Sequence, residues 1–187
     1  MRIISGKFKG KKILEPRDKS TRPLKDLTKE SLFNIILHSN KFRVKIKNSN
    51  ILDLFSGVGS FGLECLSREA SCVTFIEKYE KVLPILKKNI SNLNYLEKSL
   101  IIEKDIFNKL NFNNFPNTFD IIFMDPPYNE KLVPELLKKI IAAKILNEEG
   151  IIIIHRHKNE SGQFHELINI IEAKKYGISK IIFGKLF

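Results

Sequence analysis

The feature that most constrains this chain is a change of rhythm at residue 50. From there, short apolar runs alternate with segments of helical apolar spacing. The runs read as strands over 50–55, 72–77, 99–104, 120–125 and 150–155, and helical patterns fall around 60–69, 79–92 and 131–145. Tight turns cannot join parallel neighbours, so this alternation implies right-handed crossovers and an open, doubly wound α/β sheet. Ile121-Ile122-Phe123-Met124 and Ile151 to Ile154 are apolar at every position, as strands covered on both faces require. The end of the chain breaks the pattern. Residues 168–176 and 178–187 are strand-like on either side of Gly177 with no helix between them, which predicts a C-terminal antiparallel hairpin and a mostly parallel sheet of seven strands.

The segment before residue 50 reads differently. Arg2-Ile3-Ile4-Ser5 and Lys12-Ile13-Leu14-Glu15 are short β-like runs, and Gly6-Lys7-Phe8-Lys9-Gly10 between them reads as a hairpin tip. A polar connection with Pro16 and Pro23 follows. Asp26 or Thr28 can then cap a helix with Leu32, Phe33, Ile36 and Leu37 at helical spacing, and residues 40–49 form a link without apolar period. Charge divides the chain at the same place. Residues 1–47 hold 14 Lys and Arg against 4 acids, and residues 48–187 hold 18 against 17. Lys, Ile and Asn are abundant throughout, so the net charge of +11 says little by itself. Compositional bias would spread the excess evenly, whereas a polyanion-binding surface concentrates it. We therefore expect a basic hairpin/helix extension over 1–47, with Lys7, Lys9, Lys11 and Lys12 reaching phosphates, and an α/β domain over 48–187.

Some classes are disfavoured. No run approaches the roughly 20 apolar residues of a membrane span, and the first residues lack the pattern of a secretion signal. Cys65 and Cys72 lack metal spacing and sit in apolar patterns, as reduced packing residues of a cytoplasmic protein would.

The first strand runs into Asp53-Leu-Phe55-Ser-Gly57-Val-Gly59-Ser-Phe-Gly62. Residues 57–62 match G-x-G-x-x-G, and Glu77 closes the second strand 20 positions after Gly57. A nicotinamide cofactor could use such a loop. Asp53 argues against it, because a carboxylate at the strand's mouth is poorly placed beside the pyrophosphate that this loop would receive. S-adenosylmethionine instead brings an ammonium and a sulfonium, which a carboxylate attracts. Asp105, after the third strand, can meet the adenine amino group, and Glu77 the ribose hydroxyls.

Asp125-Pro126-Pro127-Tyr128 follows the fourth strand, at the sheet edge where open α/β folds hold ligands. These residue types suit methylation of an aryl amine, whose lone pair is delocalised into its ring. Acceptors that hold both N–H groups can turn that lone pair out of conjugation. Asp125 supplies one acceptor and the Pro126 carbonyl a second, while the prolines fix the backbone and lack N–H donors. Tyr128 offers a π-face to a base drawn from its stack. No general base is evident.

D-L-F-x-G-x-G, an acid ending strand two, an acid after strand three and D-P-P-Y after strand four together resemble a class I methyltransferase, as does the terminal hairpin. The leader narrows the resemblance. Met1 to Lys12, Thr21-Arg22-Pro23 and Lys29-Glu30-Ser31-Leu32-Phe33-Asn34 are similar to the bacterial 16S rRNA guanine-N2 methyltransferases along essentially the full chain. That resemblance implies S-adenosylmethionine as cofactor, no metal, and a guanine of 16S rRNA, naked or in an assembling small subunit, as substrate. It implies binding of the cofactor by Asp53, Phe55, Gly57, Gly59, Glu77 and Asp105, and of RNA by the leader, Arg22 included. A monomer is expected. Two positions depart from the family's pattern: Leu24-Lys25, where small hydroxyl residues are usual, and His155-Arg156-His157, where an acid is usual. For the histidines we expect contact with solvent or RNA. An adenine-N6 methyltransferase would share loop and tetrad; a nicotinamide oxidoreductase or an inactive RNA-binding factor would leave the tetrad unused.

Overall fold

A computed structural model describes residues 1–16, 26–160 and 166–187. Thr21-Arg22-Pro23 and Leu24-Lys25 lie outside the described residues. The strands explain the architecture. In β4 (Phe119–Met124), Ile121 and Phe123 face one way and Ile122 and Met124 the other; β5 (Leu146–His157) divides Ile151 and Ile153 from Ile152 and Ile154 in the same manner. Successive side chains leave a pleated strand on opposite sides, so an unbroken apolar run must be covered twice. Two hydrophobic clusters do this. One packs strand residues against α1 (Asp26–His38), α2 (Ser60–Ser67) and α3 (Leu83–Asn92). The other packs them against Leu136, Leu137 and Ile140 of α4 (Val133–Ala143).

The seven strands lie in the order β3 (Ser99–Ile102), β2 (Cys72–Ile76), β1 (Asn50–Leu54), β4, β5, β7 (Ser179–Leu186), β6 (Ile168–Tyr176). β1 to β5 are parallel, and β7 runs antiparallel to both β5 and β6. This is the doubly wound, mostly parallel sheet with a terminal hairpin that the periodicity predicts. The order reverses between β1 and β4, which puts the topological switch point, and the crevice that goes with it, above Asp53 and Asp125.

Three local features differ from the sequence reading. The link over 40–49 is not merely polar, since Phe42 and Ile46 are buried in the first cluster, with Phe42 tilted against Phe183 at 5.5 Å. Phe42, Val44 and Ile46 alternate there with basic residues, a period of two that the sequence reading passed over. Leu37, although helically spaced, is half exposed. The N-terminal hairpin forms but is short: Arg2 bridges Lys12, and Ile3, Gly10 and Ile13 donate their N–H groups to the Lys11, Ile3 and Met1 carbonyls at 2.9, 2.9 and 3.1 Å.

The leader's backbone also finds partners on the helices. Ile4 and Ser5 donate their N–H groups to the Glu64 carboxylate at 2.7 and 2.9 Å, Lys7 to the Ser67 carbonyl at 2.8 Å, and Leu14 to Asn89 Oδ1 at 2.8 Å. Gly6 makes the approach possible: at φ +81°, a Cβ there would stand 1.9 Å from the Ser67 carbonyl oxygen. Ile3, Ile13, Leu32, Phe33 and Ile36 of the leader share the first cluster with Phe61 and Phe75.

Candidate active site

The loop after β1 turns through three left-handed residues, Phe55 (φ 62°), Gly57 (φ 54°) and Gly59 (φ 85°). The glycines of the fingerprint serve different ends. A Cβ on Gly57 would meet nothing within 4 Å, so the loop wall there is open to a ligand. One on Gly59 would press on Leu86 of α3 at 2.6 Å, and one on Gly62 would strike Phe75 at 2.4 Å and Val73 at 2.7 Å. Gly62 thus lets α2 lie close on β2, the packing role of the last glycine in such loops. Phe55 is the strained member, since a bulky side chain disfavours positive φ; its ring is 5.8 Å from that of Phe107.

Asp53 is 1 % exposed and accepts the Gly62 N–H at 3.0 Å. Burial pushes its carboxyl up to about 8; the Gly62 hydrogen bond opposes this, and the charges of Asp125 and Glu77 add to it. A cation bound beside it would relieve that penalty. Glu77 accepts the N–H groups of Gly57 at 2.8 Å, Lys78 at 2.8 Å and Tyr79 at 2.7 Å, which ties the end of β2 to the glycine loop. Asp105 accepts the Phe107 N–H at 2.8 Å, and its hydrogen bond from Lys78, also 2.8 Å, holds its carboxyl below the ordinary range. It does not line the cleft, although Lys78, Lys104 and Ile106 around it do.

The cleft has a volume of about 1070 Å³. That is at the upper end of small-molecule sites, roughly 300–1,000 Å³, and leaves room for a second ligand group beside a nucleoside. It is lined at one end by Phe55, Gly57 and Glu77, in the middle by Asp53, Phe61 and Phe123, and at the other end by the whole Asp125-Pro126-Pro127-Tyr128 tetrad. The β6–β7 turn at Tyr176 and Gly177 also borders it. Phe33, a motif residue of the leader, is fully buried and stacks on Phe61 at 5.3 Å, so it supports the cleft floor from behind.

The tetrad is braced from the end of β5. His155 Nδ1 lies 2.7 Å from Asp125 Oδ1. Arg156, 1 % exposed, donates to the carbonyls of Pro127 at 2.8 Å, Tyr128 at 3.2 Å and Glu130 at 2.9 Å, and is paired with Glu160. No described residue donates to the Pro126 carbonyl. The expectation of solvent or RNA contact fails for His155, which is 7 % exposed, and Arg156 is closed to RNA as well. The reason is tertiary. β5 is an inner strand between β4 and β7, and its end lies beside the Asp125 tetrad, which takes up the His155 and Arg156 side chains. His157 remains half-buried, 5.4 Å from the Tyr128 ring.

Glu64 and Lys29, both without solvent exposure, also escaped the sequence reading. Glu64 binds the leader and Arg68, the latter at 2.9 Å. Lys29 donates to the Arg2 carbonyl at 2.7 Å and to Ser60 Oγ at 3.4 Å; burial lowers its pKa, opposed by the charges of Glu64 and Asp26. The available signal was a lone acid inside the apolar run Phe61 to Leu66. Lys7, Lys9, Lys11 and Lys12 are all exposed, with the Lys7 and Lys11 ammoniums 5.6 and 6.0 Å from the Phe8 ring.

Comparison with known proteins agrees with this geometry. Residues 1–185 match the family described as Conserved hypothetical protein 95. A protein of Buchnera aphidicola named Ribosomal RNA small subunit methyltransferase D is 35% identical over 85% of this chain and 79% of its own length. The Haemophilus influenzae protein of the same name is 31% identical over 95% of this chain and 90% of its own. Among solved structures, yhhF of Escherichia coli, described as a candidate methyltransferase, superposes with a TM-score of 0.81 at 26% identity, covering 100% of this chain and 97% of that one. Matched along nearly its whole length, the chain belongs to the Conserved hypothetical protein 95 family and has the class I methyltransferase fold.

Proposed function

We propose that this protein transfers the methyl group of S-adenosylmethionine to the exocyclic N2 of a guanine in small-subunit ribosomal RNA. The observation that carries the reading is one cleft holding a buried carboxylate, Asp53, beside an open glycine loop, and a rigid acceptor loop at Asp125. Relatives named for small-subunit rRNA methylation support the choice of RNA.

The residues fit such a cofactor. Asp53 would face its cationic part, Gly57 would admit its backbone-hugging portion, and Glu77 would take the ribose. When bound, S-adenosylmethionine supplies an electrophilic methyl group on a sulfonium. The chain's own work is positioning. Asp125 and the Pro126 carbonyl accept the two N–H groups of the target amine, which turns its lone pair out of the ring. Tyr128 supports the base, and near-attack alignment of this kind can lower a barrier by about 7–11 kcal/mol. The exposed lysines of the leader hold phosphates and leave the reading of the base to the cleft.

The test is to map methylated nucleotides in 16S rRNA from cells with and without the gene. Loss of a single N2-methylguanine supports the proposal. Loss of an N6-methyladenine, or no change, overturns it.

A further inference from the structure

His155, expected to meet solvent or RNA, is instead buried at the tetrad, and its surroundings give it a task. Its ring lines the cleft at the tetrad end, it is 7 % exposed, and Nδ1 is 2.7 Å from Asp125 Oδ1. Nε2 is buried and has no hydrogen-bond partner among the described residues. The contact bears on where the proton sits. An ionised carboxylate can only accept, so a hydrogen bond across this contact needs the hydrogen on Nδ1. In that tautomer Nε2 carries no hydrogen, which avoids an orphaned buried N–H group, a rare feature of folded proteins.

We propose that His155 is the positioning residue of the methyl-transfer site: its Nδ1–H pins Asp125 Oδ1 and leaves Oδ2 turned to the target amine. This rests on the function proposed above. An unpinned carboxylate would rotate about its Cβ–Cγ bond and present either oxygen. Pinned, it offers one acceptor in one place, next to the Pro126 carbonyl. When the alkylated nitrogen sheds its proton, the N–H bond breaks with its electron pair left on nitrogen and an O–H bond forms at Asp125 Oδ2. His155 keeps its own proton throughout, so the pair needs no outside base until product leaves. Tyr128, edge-on to His155 at 5.9 Å, limits movement of the imidazole. Among the described residues, Asp53 and Tyr176 also line the cleft and His157 lies 5.4 Å from the Tyr128 ring, while Arg156 is engaged by the tetrad's carbonyls and Glu160.

Two measurements test the assignment. Long-range proton–nitrogen NMR on the full chain labelled in its four histidines, with Asp125→Ala to identify the signal, reads the tautomer without any turnover. The hydrogen is expected on Nδ1; a neutral ring carrying it on Nε2 overturns the proposal. Methyl incorporation into small subunits from cells lacking the gene is then compared for three variants. His155→Asn keeps an N–H donor near the Nδ1 position, whereas His155→Leu and His155→Phe do not. Loss of a hydrogen bond to a charged group predicts kcat about ten- to a hundredfold lower for Leu and Phe. KM, S-adenosylhomocysteine affinity and melting temperature stay near wild type, and Asn recovers most of the loss. Equal loss in all three variants would overturn positioning by Nδ1–H, as would wild-type kcat in the Leu variant. Wild-type protein that methylates no subunit, yet shows the Nδ1–H tautomer, would count against the substrate and not against the pairing.

Discussion

Two carboxylates in this cleft carry different loads. On the proposed function Asp125 accepts the target amine, so Asp125→Ala is expected to abolish useful turnover while S-adenosylhomocysteine affinity stays within a few-fold. Loss of a positioned charged acceptor raises a barrier by about 2–4 kcal/mol, or about thirty- to a thousandfold in rate; single-turnover kinetics with calorimetry separates the two effects. Asp53 behaves otherwise because it is buried. Its carboxyl, raised to about 8 in the folded protein, keeps a proton that the unfolded chain gives up near its ordinary value of 3.8. The sign follows from linkage. The folded state binds the extra proton, so this group's contribution to stability is present at the acid end and is lost as pH rises from about 4 to about 8. A bound cation reverses the preference. S-adenosylhomocysteine affinity should therefore rise from pH 6 to pH 8, with proton release visible as a buffer-dependent binding enthalpy. Asp53→Asn should flatten both, and a pH-independent affinity in wild type would refute the role.

At the scale of elements, α2 connects two functions. Its first turn grows out of the glycine loop, and its later turns hold the leader through Glu64 and Ser67. Removing Glu64 leaves the N–H groups of Ile4 and Ser5 without their acceptor, takes the paired carboxylate from Arg68, and leaves Lys29 facing Asp26 alone among the described acids near it. Breaking a buried pair on one side costs about 3–5 kcal/mol. Glu64→Ala should lose about that much in urea unfolding, and leader amides should exchange faster while those of β4 remain protected. The leader's own surface is tested by neutralising Lys7, Lys9, Lys11 and Lys12 together. Each phosphate contact contributes about 0.7 to the log–log salt slope on single-stranded RNA, so the slope should fall by up to about three. Cofactor affinity should not change, because these side chains are exposed and none lines the cleft. An unaltered slope would move RNA binding elsewhere, and Arg156, being buried, is excluded as the alternative.

For the molecule as a whole, the charge boundary near residue 47 is not a packing boundary. Ile3, Ile13, Leu32, Phe33, Ile36, Phe42 and Ile46 belong to the cluster that covers one face of the sheet. A fragment of residues 48–187 would expose that face, including Phe61 beneath the cleft. It is expected to aggregate or melt well below the full chain, which should unfold in one transition by calorimetry. A fragment as stable as the full chain would show that the leader is an appendage after all.

What could be read from the sequence was local or ordinal. Short unbroken apolar runs identified the strands, helical spacing the crossovers, and the order of Asp53, the glycines, Glu77 and the Asp125 tetrad pointed to one sheet edge, because short-range pattern reports which faces of an element are buried. The Lys-rich tip was legible for the same reason, being contiguous. The tertiary structure alone decided the pairings. Asp125 meets His155 across 30 positions and Glu64 holds Ile4 across 60, and such contacts depend on strand order and register, which one chain's pattern does not encode. Nor could the sequence show that Asp53 is buried enough to keep its proton to about 8, or that His155 faces the cleft and not the solvent. Desolvation and hydrogen-bond partners are properties of the assembled sheet, and they turn a strand end with an ambiguous histidine into part of the site.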